Sequence, residues 1–203
     1  MARSTLLAAA ATLFVTSCSG ISLPLSLATP RPTELAAQVL VNMRAQTSGK
    51  IRVPADGGTQ LWKVQKPDRV SLEFSGPQGL YHWIVIGNEQ WFRNGPSADA
   101  WRPWSKRPGP PHVMNADLIR FVVGGDLHDV ITDALSAPTI QAQGREPCAA
   151  GECLVLNYVN RTPSYVVTFW VDPATKLIVK AIIPVGTWEW LDYGVPNDLK
   201  PPI

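Results

Sequence analysis

The chain has 203 residues, 45% of them hydrophobic and only 17% charged, with a formal net charge of +2. That apolar content excludes a disordered chain, and near-neutrality without a Lys/Arg run excludes the electrostatic footprint of a nucleic-acid binder. The 19 prolines follow no Gly-X-Y period, and the length suits one folded domain with a short extension.

Arg3 is the only charge before Arg31. Between them, residues 5–17 (TLLAAAATLFVTS) are uncharged and mostly apolar. This run is too short to span a bilayer, which takes about 20 residues, and has the size of a signal-peptide hydrophobic region. It ends in Val15-Thr16-Ser17-Cys18, which resembles a bacterial lipobox. The resemblance implies a signal peptide over 1–17, cleavage before Cys18, diacylglycerol on the Cys18 sulfur and a further acyl chain such as palmitate on its amine. Each buried CH₂ contributes about 0.8 kcal/mol, so two or more chains hold a protein stably on a membrane. An ordinary signal peptide with a chance cysteine is the alternative. Loss of residues 1–17 removes one charge, Arg3, leaving 17 basic side chains against 16 acidic ones.

Residues 18–32 carry three prolines and read as a lipidated tether, with one domain over 33–203. Thr33 reads as a helix N-cap, followed by Leu35, Val39, Leu40 and Met43 at helical spacing until Ser48-Gly49. Four strands are expected next, at 60–65, 70–75, 80–86 and 89–93, with Gly87-Asn88 as a two-residue hairpin turn. The proline-rich stretch 95–111 reads as an extended loop with at most an edge strand. A second helical stretch runs from an N-cap at Asn115 to Pro138, carries Val122 and Val123, and breaks at Gly124-Gly125. Five further strands are expected at 139–143, 153–159, 165–171, 177–183 and 187–193. The order is α+β: a large curled antiparallel sheet, an unclosed β-barrel of about 9–11 strands, with an N-terminal helix and a mid-chain helical lid.

Cys148 and Cys153 enclose four residues. One such pair in an exported chain most simply forms a disulfide. The spacing is not Cys-x-x-Cys and no histidine lies nearby, which argues against a redox or metal site.

Several strands are apolar on both faces, Tyr165–Val171 among them. A half-buried strand alternates instead, so both faces of the sheet's middle are expected to leave water. A curled sheet with few helices to fill it can keep an apolar, aromatic-walled interior for a ligand; a filled core is the simpler alternative.

Two passages carry a family resemblance. One is Ile84-Val85-Ile86-Gly87-Asn88-Glu89-Gln90-Trp91-Phe92. The other is Val171-Asp172-Pro173-Ala174-Thr175-Lys176-Leu177, with Trp190-Leu191-Asp192-Tyr193-Gly194-Val195-Pro196. With the lipobox and the order of elements, they resemble the lipoprotein-carrier superfamily, which includes LolA, LolB and the mycobacterial LppX and LprG lipoproteins. The resemblance implies an unclosed barrel with a helical lid, holding acyl chains in an apolar cavity. It also implies a monomer in the bacterial cell envelope, anchored through Cys18 to the outer membrane or the outer face of the cytoplasmic membrane. The expected partners are a lipid or acylated ligand and the membrane, with no nucleic acid. The expected cavity wall is Trp62, Phe74, Tyr81, Trp83, Val85, Tyr165, Val167, Phe169, Trp188 and Trp190, with Val122 and Val123 from the lid.

No G-x-S-x-G elbow, H-E-x-x-H or phosphate loop occurs, so no catalytic residue, cofactor or metal is expected. Two other readings remain. One is a sensor or interaction domain that binds a protein partner through exposed Trp101 and Trp104. The other is a purely structural envelope lipoprotein.

Overall fold

The structure, a computed structural model, describes residues 31–55, 57–108, 129–161 and 164–202. Cys18, Asn115, Val122, Val123 and the Gly124-Gly125 break lie outside the described residues.

Helix α1 spans Pro32–Ala45, with Arg31 at the N-cap position and Glu34 in the first turn. The expected cap at Thr33 is displaced because Pro32 takes the first helical position. There its fixed φ suits the helix and its missing N–H costs nothing. Leu35, Ala36, Val39 and Met43 form the buried stripe. The helix ends before Ser48-Gly49, which already belong to a strand, β1 (Ser48–Ala55). This strand is absent from the sequence reading. Its Lys50-Ile51-Arg52-Val53 alternation is that of a half-buried strand, and Pro54 near its end disguises it.

The meander continues through β2 (Gly58–Gln65), β3 (Arg69–Gly76), β4 (Gly79–Ile86), β5 (Glu89–Gly95) and the short edge strand β6 (Ser105–Arg107). Helix α2, Asp129–Ser136, precedes a second meander of β7 (Gln141–Cys148), β8 (Gly151–Arg161), β9 (Ser164–Val171), β10 (Ile178–Ile183) and β11 (Gly186–Leu191). All eleven strands form one sheet in the order β6-β5-β4-β3-β2-β1-β11-β10-β9-β8-β7. Every pairing is antiparallel, and among the described residues β6 and β7 are left as unpaired edges, so the barrel is unclosed.

One face of this sheet carries the helices and the main core. Ile51, Val53, Val64, Val70, Leu156, Val167, Phe169, Ile178, Ala181, Trp188 and Trp190 pack in one cluster with the α1 stripe and with Ile131, Ala134 and Leu135 of α2. The expectation that both faces leave water holds only in patches. On the outer face, Val155 and Trp170 form a small cluster beside the Cys148–Cys153 disulfide. Farther along, Val159, Val166 and Ile182 are exposed. Two-sided apolarity therefore reflects separate local clusters on the outer face, because the helices cover only the inner one.

Candidate functional site

Pairing across strands assigns each residue to a face, since partners opposite one another point the same way. Trp62 lies opposite Leu72, Leu72 opposite Trp83, and Trp83 opposite Phe92. One step along, Phe74 lies opposite Tyr81. Ile51 links Trp62 to Trp190 across β1, and Ala181 links Trp188 to Phe169. By this register Trp62, Phe74, Tyr81, Trp83, Val85, Tyr165, Val167, Phe169, Trp188 and Trp190 all share the inner face.

The ten fall into two environments. Val85, Val167, Phe169, Trp188 and Trp190 are buried; the last four pack with the α1 and α2 stripes. Trp62, Phe74, Tyr81, Trp83 and Tyr165 are only half-buried. Four of these, with half-buried Phe92 and buried Leu72, make an aromatic ladder across β2–β5. Phe74 and Tyr81 stack with ring centroids 4.9 Å apart, a geometry worth about 1 kcal/mol beyond area burial. Tyr165 stands edge-on to Tyr158 at 6.2 Å in the other meander. The sequence reading missed Leu72 and Phe92. The Gly87-Asn88 hairpin could have supplied Phe92, because a two-residue turn fixes the register that sets it opposite Trp83.

The polar atoms of the ladder are satisfied within it. The Trp62 indole N–H donates to Gln60 Oε1 at 3.0 Å, and Gln60 Nε2 donates to the Tyr81 hydroxyl at 3.3 Å. The Trp83 indole N–H donates to Gln90 Oε1 at 3.2 Å, and Gln90 is buried. With these donors engaged sideways, the ladder presents mainly ring faces and aliphatic carbon. In the core, by contrast, Trp190 Nε1 and the Tyr193 hydroxyl are buried without a hydrogen-bond partner among the described residues. Burial raises the Tyr193 pKa well above its usual value.

The outer face behind the ladder is built differently. Trp101 and Trp104 are half-buried there, so the loop is not a free aromatic arm. The Arg93 guanidinium lies 4.4 Å from the Trp101 ring centre and 4.6 Å from that of Trp104. Trp104 also stands edge-on to His82 at 4.9 Å. His82 Nε2 is 2.8 Å from Ser71 Oγ. Burial lowers the His82 pKa to about 4; Glu73 opposes that shift, and Arg93 and Lys63 add to it. Among the described residues no group of three or more His, Cys, Asp or Glu side chains could hold a metal ion.

Fold and site together define an unclosed antiparallel half-barrel with two helices on its inner face and an aromatic surface beside its core. Solved structures share this architecture. The crystal structure of LprF from Mycobacterium bovis matches with a TM-score of 0.59 at 10% identity, covering 86% of this chain and 98% of its own. The crystal structure of the Mycobacterium tuberculosis lipoprotein LppX matches with a TM-score of 0.50 at 14% identity, covering 83% and 98%. The chain therefore shares the fold of these two structures. No family model and no curated protein matches it by sequence.

Proposed function

We propose that the protein is a non-enzymatic envelope lipoprotein, exported by residues 1–17 and anchored through Cys18. Its half-barrel holds a lipid or acylated ligand against the inner face of β2–β5. One observation carries this reading: the ladder Trp62–Leu72–Trp83–Phe92, whose two indole N–H groups are consumed by Gln60 and Gln90. A surface with its polar handles already paired loses nothing when a hydrocarbon displaces water from it, and gains about 25 cal/mol per Å² of apolar area covered. The buried half of the inner face, around Phe169 and Trp190, would act as the rigid support. Residues 33–203 would form the single carrier domain and 18–32 its tether, with Val122 and Val123 completing the wall as a lid. Fold likeness to LppX, a lipoprotein, supports the envelope setting.

The test is mass spectrometry of lipid extracted after gentle purification. Wild type should release a co-purified amphiphile. Trp83→Arg should lose most of it while anchoring and fold are kept, because the substitution sets a cation on the ladder. Equal lipid in both proteins, or none in wild type, would remove the proposal.

A further inference from the structure

The outer face of the N-terminal meander holds a concavity. Leu61, Glu73, His82 and Arg93 lie directly opposite one another across β2–β5, one residue out of phase with the aromatic ladder. They therefore point away from it, through the other side of the same sheet. Together with Leu80 and Trp101, and with Phe74 and Tyr81 of the ladder at its border, they line a cleft of about 360 Å³, within the size range of small-molecule sites.

The charges around this cleft do not cancel. Glu73 is engaged by Lys63, its ion-pair partner. His82, held at 3.7 Å from the Glu73 carboxylate, is neutral near pH 7 because burial dominates its titration. Arg93 remains. The Trp101 and Trp104 rings lie against it, yet its Nε is buried without a hydrogen-bond partner among the described residues. Among the described residues it forms no ion pair. A second cleft of about 280 Å³ shares Leu80 with the first and adds exposed Arg102, so both concavities offer a cation next to aliphatic carbon.

We propose that this outer cleft binds a small amphiphilic anion, its acid group on Arg93 and its hydrocarbon on Leu61 and Leu80. A guanidinium already oriented by two indoles gives up little rotamer freedom on binding, and it can give the acid a charge-assisted hydrogen bond. The cleft borders the aromatic ladder at Phe74 and Tyr81, but its proposed anchors Arg93, Leu61 and Leu80 lie on the opposite face, so it stands whether or not the Trp62–Leu72–Trp83–Phe92 row carries lipid.

The experiment uses the full chain in non-ionic detergent, titrated calorimetrically with hexyl phosphate, hexanol and inorganic phosphate. Hexyl phosphate should bind at least tenfold more tightly than either of the others. Arg93→Gln should weaken it at least tenfold. Leu61→Glu, a change at a half-buried position that puts a carboxylate in the cleft, should do the same and decides alone if Arg93→Gln does not fold. Trp83→Arg, on the other face, should leave the affinity within twofold. Hexanol or inorganic phosphate binding as tightly as hexyl phosphate, or wild-type affinity in a folded Arg93→Gln or Leu61→Glu protein, would overturn the proposal. Competition by dihexanoyl phosphatidylglycerol would assign the acid to a lipid head group, and its failure to a free alkyl acid; both keep Arg93 as the anchor.

Discussion

The division of the inner face into packed core and open ladder can be tested at Phe169. Its side chain has no exposed surface, lies opposite Leu156 on one side and Ala181 on the other, and packs in the cluster that holds the α1 and α2 stripes. Phe169→Ala removes the ring and leaves a void that its neighbours cannot fill. Ala181 and Ala36 have nothing to extend, and Ile178 and Leu156 are already fully buried. Phe-to-Ala changes in such sites cost about 3–5 kcal/mol, and poor collapse puts this one toward the upper half, about 4 kcal/mol. With a urea m-value of about 2 kcal/mol per molar, the midpoint should fall by about 2 M. Equilibrium urea unfolding of the oxidised chain, followed by tryptophan fluorescence, measures it. A loss below about 1 kcal/mol would mean that the space between β8–β10 and the helices is not filled, and would refute the division.

Three further outcomes follow from the geometry. His82 has a folded pKa of about 4 against an unfolded 6.5, so between those values the unfolded chain binds the extra proton. Stability is then full above pH 6.5 and falls as the pH drops toward 4; His82→Gln should flatten that slope in urea midpoints taken at pH 7.5 and 4.5. The Cys148–Cys153 disulfide closes a loop with a sequence separation of 5. Its reduction should cost only about 2 kcal/mol in the chain-entropy account, seen as a small midpoint shift with the fold retained by circular dichroism. At Gly58 an added Cβ would sit 2.2 Å from the Ser75 carbonyl oxygen, a backbone atom that cannot turn aside. Gly58→Ala should therefore destabilise by about 1–3 kcal/mol in the same assay, whereas wild-type stability would show that the β2–β3 edge shifts freely.

Much of the fold was legible because its signals are local. The Gly87-Asn88 turn, the Asp172-Pro173 turn and the β-branched and aromatic runs each mark one hairpin, and β2–β5 and β8–β11 lie within a few residues of where those signals put them. What was not legible is long-range. Strand β1 pairs with β11 some 140 residues away, and its Lys/Arg alternation only makes sense once Asp192 and Glu189 face Lys50 and Arg52. The shared face of the ten wall residues could be read within each hairpin, but the step from Trp62 to Trp190 passes through Ile51 on that missed strand. The outer cleft was hidden for a related reason. Trp101 and Trp104 looked like a protruding loop because nothing in the sequence states that they fold back onto Arg93 and His82.

The seam between β1 and β11 is what lets one sheet serve two purposes. Among the described strands the two meanders pair only there, through the register Lys50–Leu191, Ile51–Trp190 and Arg52–Glu189. Its outer side carries the ion pairs Lys50–Asp192 at 2.6 Å and Arg52–Glu189 at 2.7 Å, partly exposed contacts worth about 0–1 kcal/mol each. Its inner side carries Ile51 and Trp190, both buried in the main core. The C-terminal segment then crosses back to the first meander. The Asn197 side chain donates to the Gly49 and Val64 carbonyls at 3.2 and 2.7 Å, Arg69 donates to the Leu199 carbonyl at 2.6 Å, and Leu199 is buried. The half-open ladder of β2–β5 is thus held by covalent continuity through β1, by the seam, and by this strap. It does not need helices packed along its whole face to stay ordered, and that is the physical condition for leaving aromatic surface available to a ligand.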